Sequence, residues 1–252
     1  METQGPGEGA LAGAFARLDA AWGVSLADVR RRPGPPTVLF SGGVDSGLLA
    51  WELRGEQGAT LATIGLEGSN DLRAAAESVR SLPTPWQPVV VRPRDLEGIR
   101  ADAAAAFPGM RENLALGLAA LLRFAPSGTL VCGQGADELF LGYAHFRGLP
   151  PSEAGDRADT DLAKLRAVDW PATEALAARW GRVVSAPFLH PEFVRAARAI
   201  PLDDRLPRDR PKELWRAWAR HRGVPPALAG RPKRALQYGS GIDRWLRSIT
   251  TH

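Results

Sequence analysis

Residues 37–54, TVLFSGGVDSGLLAWELR, constrain this chain more than any other stretch. Thr37-Val38-Leu39-Phe40 is a short apolar run that reads as a buried strand, and residues 47–54 read as a helix. Between them lies Ser41-Gly42-Gly43-Val44-Asp45-Ser46. Glycines at 42 and 43 let backbone N–H groups converge without interference from Cβ atoms. The helix that follows points its positive end into the same turn. Such a nest suits a compact, highly charged anion such as phosphate or pyrophosphate. Ser41 and Ser46 can donate hydroxyl hydrogen bonds, whereas Asp45 favours an anion only through an intervening cation, which points to Mg²⁺. A P-loop is excluded, because its G-x-x-x-x-G-K-[ST] pattern needs a lysine that this turn does not have.

With 252 residues the chain can bury one large core, or one core and a helical lobe. No apolar run is long enough to span a membrane, and the first residues lack the basic-then-apolar pattern of a signal peptide. A single cysteine, Cys132, excludes an internal disulfide and any multi-cysteine metal site. A cytoplasmic protein without a membrane partner is expected. Net charge is +4, unevenly spread. Residues 205–252 hold twelve of the 32 basic residues and three of the 28 acidic ones, leaving 20 basic and 25 acidic elsewhere. A basic end beside an acidic body suits a gripped polyanion, either nucleotide phosphates or a nucleic acid.

Taken in order, residues 9–22 carry apolar side chains at helical spacing, and Ser25 starts a short second helix ending in Arg30-Arg31-Arg32. Proline and glycine at 33–36 then break the chain. Strands are expected at 60–66, 88–91 and 129–132, with helices at 71–82, 95–107 and 111–125 between them. Continuous apolar strands alternating with helices predict an α/β fold, an open and mostly parallel sheet with helices on both faces. Ligands in such sheets bind beyond the carboxyl ends of the strands, where residues 41–46 and the segment after Cys132 both lie. Residues 148–158 read as a loop, and the remainder reads as helices. The expected division is an N-terminal helical extension (1–36), a nucleotide-binding core (37–147) and a mainly helical C-terminal lobe (148–252).

A second strand-to-helix turn, Gly133-Gln134-Gly135-Ala136-Asp137-Glu138, opens with two carboxylates. Acidic residues at a helix start can simply complement its dipole. Together with Asp45 they also offer two loop carboxylates to one phosphate site, the minimal protein contribution to Mg²⁺.

The first turn resembles the SGGxDS pyrophosphate loop of the N-type ATP pyrophosphatases, the PP-loop superfamily. The second resembles the GEGSDE-type motif in the synthetase domain of asparagine synthetases, a domain shared with β-lactam synthetases. Residues 64–71, 187–189, 212–216 and 231–241 match that domain in its own order. The fold implied is adenine-nucleotide α-hydrolase-like, with the helical lobe completing the site. The activity implied is ATP-dependent amide formation: a carboxylate attacks the α-phosphate of MgATP, pyrophosphate leaves, and an amine captures the acyl-adenylate. By resemblance, Ser41, Gly42, Gly43, Asp45 and Ser46 hold pyrophosphate, and Gly133 and Gly135 of the opposite turn belong to the cofactor-binding set. Asp45 and Asp137 ligate Mg²⁺, Leu39, Ile64 and Gly65 line the adenosine site, and Lys233 neutralises developing charge. Gln237, Gly239 and Gly241 belong to a substrate-side loop.

Three departures from the family pattern narrow what carries over. The chain begins Met-Glu-Thr without the family's glutaminase segment, so a separate glutaminase or other ammonia source is expected. Gln134 replaces a glutamate that in asparagine synthetases helps deprotonate ammonia, and an amide cannot be a general base. Glu138 is the substitute candidate. His190 replaces the usual aspartate after Pro187-Phe188-Leu189, and a hydrogen-bonded structural role is expected for it. Small carboxylic acid and amine substrates follow, with a homo-oligomer allowed. Two other readings stand beside the ligase. One is a nucleotide-binding subunit that depends on a partner for chemistry. The other is a PP-loop tRNA-modifying enzyme, disfavoured because basic and aromatic residues do not interleave.

Overall fold

The computed structural model describes residues 8–206, 212–230 and 239–250. Five strands form one sheet in the order β3-β2-β1-β4-β5: β1 is Pro36–Leu39, β2 Thr60–Gly65, β3 Trp86–Val90, β4 Thr129–Val131 and β5 Val183–Ser185. All pairings are parallel, with Val38 opposite Leu61 on one side and Val131 on the other. Parallel neighbours need crossovers, and helices supply them. These are α2 (Val44–Glu52), α3 (Asn70–Ser78), α4 (Pro93–Ala106), α5 (Glu112–Phe124), α6 (Ala136–Leu139), α7 (Pro151–Lys164) and α8 (Trp170–Arg179). Strand order reverses between β1 and β4, so a crevice opens where their carboxyl ends part.

Side chains alternate across the pleat, and each strand therefore feeds two cores. Leu61 and Val131 enter the core shared with α1 (Glu8–Arg31), α2, α9 (Pro191–Arg198) and α11 (Glu213–His221). Ile64 and Leu130 enter the core on the opposite face, with α4, α5, α8 and α13 (Ile242–Thr250). Trp22 of α1 is fully buried, stacked on Phe188 and edge-on to Trp218. Trp215 and Trp218 are equally buried.

Local differences from the expected elements have physical causes. Residues 8–31 form one helix, because Ser25 donates its hydroxyl to the Ala21 carbonyl inside the helix rather than capping a new one. The expected loop at 148–158 is largely α7, entered through Pro150 and Pro151 at positions that a helix start tolerates. A π-turn, Leu165–Asp169, joins α7 to α8 just before Pro171, which has no N–H to continue the ladder. β5 was not anticipated, being only three residues long.

The C-terminal segment is docked on α2. Arg222 forks onto Glu52 at 2.8 and 3.0 Å and reaches Asp19 of α1 at 3.3 Å. Trp51 donates to the Arg222 carbonyl at 3.0 Å. Leu228, in α12 (Pro226–Ala229), covers Gly47 so closely that a Cβ there would stand 3.3 Å away.

Candidate active site

The first turn leaves β1 at Phe40 and enters α2 at Val44. Gly42 has φ +75°, a conformation that favours glycine. The Ser41 N–H donates to Ser46 Oγ at 3.2 Å, and Ser46 Oγ donates to the Gly43 carbonyl at 3.3 Å, which closes the turn on itself. No side chain caps α2 at Gly43, so the first N–H groups of the helix face the crevice without a side-chain acceptor. An uncapped helix start of this kind can accept an anion.

The second turn leaves β4 and enters α6. Gly135 has φ +97°, and a Cβ there would overlap Leu189. Gly133 packs on the first turn, where its Cβ would stand 3.1 Å from that of Asp45. The two turns therefore touch across the switch point. Gln134 is half-buried, with its Oε1 3.8 Å from the thiol of Cys132, whose pKa burial pushes up to about 11.

Asp45 and Asp137 converge on one cation, the ammonium of Lys212. Lys212 Nζ donates to both Asp45 oxygens at 2.7 Å and lies 2.7 Å from Asp137 Oδ1. Its side chain is 1% exposed, against 20% for Asp45 and 17% for Asp137. Burial pulls an ammonium's pKa down, but Asp137 and then Asp45 more than reverse it, leaving Lys212 above the ordinary lysine value. Trp215 Nε1 donates to Asp45 Oδ1 at 2.9 Å. Gly142 leaves just enough room, since a Cβ there would overlap Lys212 Cε and the Asp137 carboxylate.

Glu138, next to Asp137 in the chain, accepts a hydrogen bond from the Tyr143 hydroxyl at 2.7 Å. Burial, and then the neighbouring Asp137 carboxylate, push its pKa up to about 7 despite that hydrogen bond. A carboxyl poised near neutrality can hold or release a proton at working pH.

Leu39 and Gly65 sit at the ends of β1 and β2, and Ile64 sends its side chain into the second core, which leaves backbone at the crevice. The segment at 239–241 crosses the end of β2, with Leu66 N–H donating to the Ser240 carbonyl at 2.9 Å and Gly239 tight against Asp71. Lys233 and Gln237 lie outside the described residues. His190 Nδ1 accepts from the Glu192 N–H at 3.3 Å and caps α9, the structural role expected of it. Among the described residues no group of three His, Cys, Asp or Glu side chains could hold a metal ion. Two carboxylates alone suit Mg²⁺, which completes its shell with water and phosphate oxygens.

Lys212, Trp215, Tyr143 and Gly142 were not picked out as site residues from sequence. One signal for Lys212 was present. The chain has three lysines among 32 basic residues, so a lysine marks a place where arginine does not serve.

A doubly wound parallel sheet with an SGGxDS turn at its switch point defines a PP-loop α/β domain. Within that class the chain belongs to the asparagine synthase family, whose model matches residues 28–167 and 158–251. It is 26% identical over 220 residues to the glutamine-hydrolysing asparagine synthetase of Gallus gallus, covering 80% of this chain and 39% of that protein. With the corresponding Sandersonia aurantiaca protein it shares 30% identity over 194 residues, covering 66% of this chain and 35% of that one. The chain thus spans about two fifths of the length of these relatives. Among solved structures, the NH3-dependent NAD synthetase of Campylobacter jejuni aligns over 88% of this chain and 98% of that one, at 16% identity and a TM-score of 0.35. So low a score adds no weight to the assignment. No described helix is long and apolar enough to cross a membrane.

Proposed function

We propose that the chain is an ATP-dependent, AMP-forming amide ligase of the asparagine synthetase type. The observation that carries this reading is the meeting of Asp45 and Asp137, from two turns at the carboxyl ends of β1 and β4, on one buried ammonium. Their carboxylate oxygens would hold Mg²⁺, which would shield the triphosphate charge and polarise the α-phosphate for attack by a substrate carboxylate. The uncapped start of α2 and the N–H groups of residues 42–46 bind the departing pyrophosphate, where charge grows in the transition state. Leu39, Ile64 and Gly65 line the adenosine side, partly through backbone. Lys233, by its place in the family motif, adds a cation near the bridging oxygen. Glu138 takes the proton of the attacking amine, a role that Gln134 cannot fill.

The test is ATP–pyrophosphate exchange screened across small carboxylic acids, aspartate included, with ammonia supplied directly and Asp45→Ala as the control. Acid-dependent exchange that disappears in the variant supports the reading. A folded protein that binds no ATP by calorimetry with Mg²⁺ overturns it.

A further inference from the structure

Lys212 is held too tightly to be an incidental ion-pair partner. Its ammonium donates to both oxygens of Asp45 at 2.7 Å and forms an ion pair with Oδ1 of Asp137, also at 2.7 Å. The route by which its stem reaches them runs past Gly142, where any Cβ would overlap Cε. Its own backbone is left-handed, φ +60°, at the start of α11, a conformation sparsely populated by side-chain-bearing residues. At 1% exposure the side chain cannot swing into solvent without the packing around it moving first.

Composition sharpens the point. Three lysines stand against 29 arginines, as the 32 basic residues minus three. A planar guanidinium is wider than an ammonium and presents its donors as a fork, whereas the gap bounded by Gly142, Asp45 and Asp137 admits only a compact point charge.

We propose that Lys212 is a fixed internal counter-cation, a positioning residue that sets the spacing of Asp45 and Asp137 and offsets one unit of their negative charge. A divalent cation arriving alone then meets a partly neutralised pair, and the phosphates of a nucleotide supply the missing negative charge. Metal entry is thereby made dependent on nucleotide, which suppresses occupancy of the site by free divalent ions. The inference rests on the reading of Asp45 and Asp137 as metal ligands.

The test is a nucleotide-free titration with Mn²⁺, followed by the electron paramagnetic resonance signal of the free ion, at pH 7.5. It compares the wild-type chain with Lys212→Met, Lys212→Gln and the double variant Lys212→Met/Asp45→Asn, each first shown to melt cooperatively. Wild type is expected to bind Mn²⁺ weakly alone and markedly more tightly with a non-hydrolysable ATP analogue. The two neutral variants should gain affinity for Mn²⁺ alone by at least about tenfold, the factor a unit charge ~5 Å from a divalent ion carries even at the dielectric of water. The double variant should lose that gain. A merely structural lysine would weaken the site when removed, so a gain in affinity separates the two roles. A folded Lys212→Met or Lys212→Gln chain that binds Mn²⁺ no better than wild type overturns the proposal. If neither variant folds, wild type decides, because Asp45-dependent Mn²⁺ binding equally tight with and without nucleotide also overturns it. The metal-only titration is readable even if no acid supports pyrophosphate exchange, so failure of the ligase reading and failure of this inference are distinguishable.

Discussion

Glu138 carries the clearest pH signature in the chain. Its carboxyl has an ordinary pKa near 4.5 when unfolded and about 7 when folded, so the folded state binds the extra proton between those values. Its contribution to stability is fully present below pH 4.5 and is lost as pH rises to about 7. Comparing Glu138→Gln with wild type by chemical denaturation at pH 5 and pH 8 isolates the effect. Wild type should lose roughly 2–3 kcal/mol relative to the variant across that interval, and two curves that stay parallel would refute the assignment. At Gly142 the steric argument is sharper, since an added methyl group collides with both members of the Lys212–Asp137 pair. Gly142→Ala should cut nucleotide affinity, read by calorimetry, by more than tenfold while Gly98→Ala, exposed on α4 with open space around it, leaves affinity unchanged. The residues legible in sequence, Ser41 to Ser46 and Gly133 to Asp137, are those whose work is local: a glycine for a turn, a carboxylate at a helix start. Lys212 pairs with Asp45 across 167 positions, and only tertiary packing selects such a partner.

Elements show the same division. Four of the five strands and the helices between them could be read from apolar runs and their punctuation, because each makes its own hydrogen bonds and exposes a consistent face. β5 escaped because three residues give no period to measure, and it exists through pairing with β4 at Leu130 and Val184. α1 was divided at Ser25 because a serine favours a cap in isolation, yet here it is buried in a helix held by Leu18, Trp22, Leu26 and Val29. Those side chains make α1 part of the main core rather than an appendage to it. Trp22→Ala should accordingly cost ~3–5 kcal/mol in denaturant unfolding, whereas replacing Val24, 46% exposed on the same helix, should cost less than about 0.5 kcal/mol. Equal losses at the two positions would mean that α1 does not pack as described.

At the scale of the whole molecule, the phosphate turn is clamped rather than free-standing. α2 is gripped from the C-terminal side by Arg222 on Glu52, by Trp51 on the Arg222 carbonyl and by Leu228 over Gly47, while Lys212 and Trp215 of the same segment reach Asp45. The ligand site therefore belongs to both halves of the chain, and occupying it should stabilise them together. A ligand at a hundred times its dissociation constant adds about 2.7 kcal/mol, and for a domain of this size each kcal/mol moves the melting temperature by roughly 2–4 °C. MgATP at saturation should thus raise the melting temperature by about 5–10 °C, with tryptophan fluorescence and far-ultraviolet circular dichroism shifting in step. Fluorescence reports on side-chain packing on both faces of the sheet, through Trp22, Trp215 and Trp218 on one and Trp180 and Trp245 on the other, whereas circular dichroism reports on the helices. Asp45→Asn should abolish the shift in both signals. A rise seen by one probe and not the other would show that packing and helices do not respond as one unit, and the clamp through Arg222 and Lys212 would then not couple the two halves of the chain.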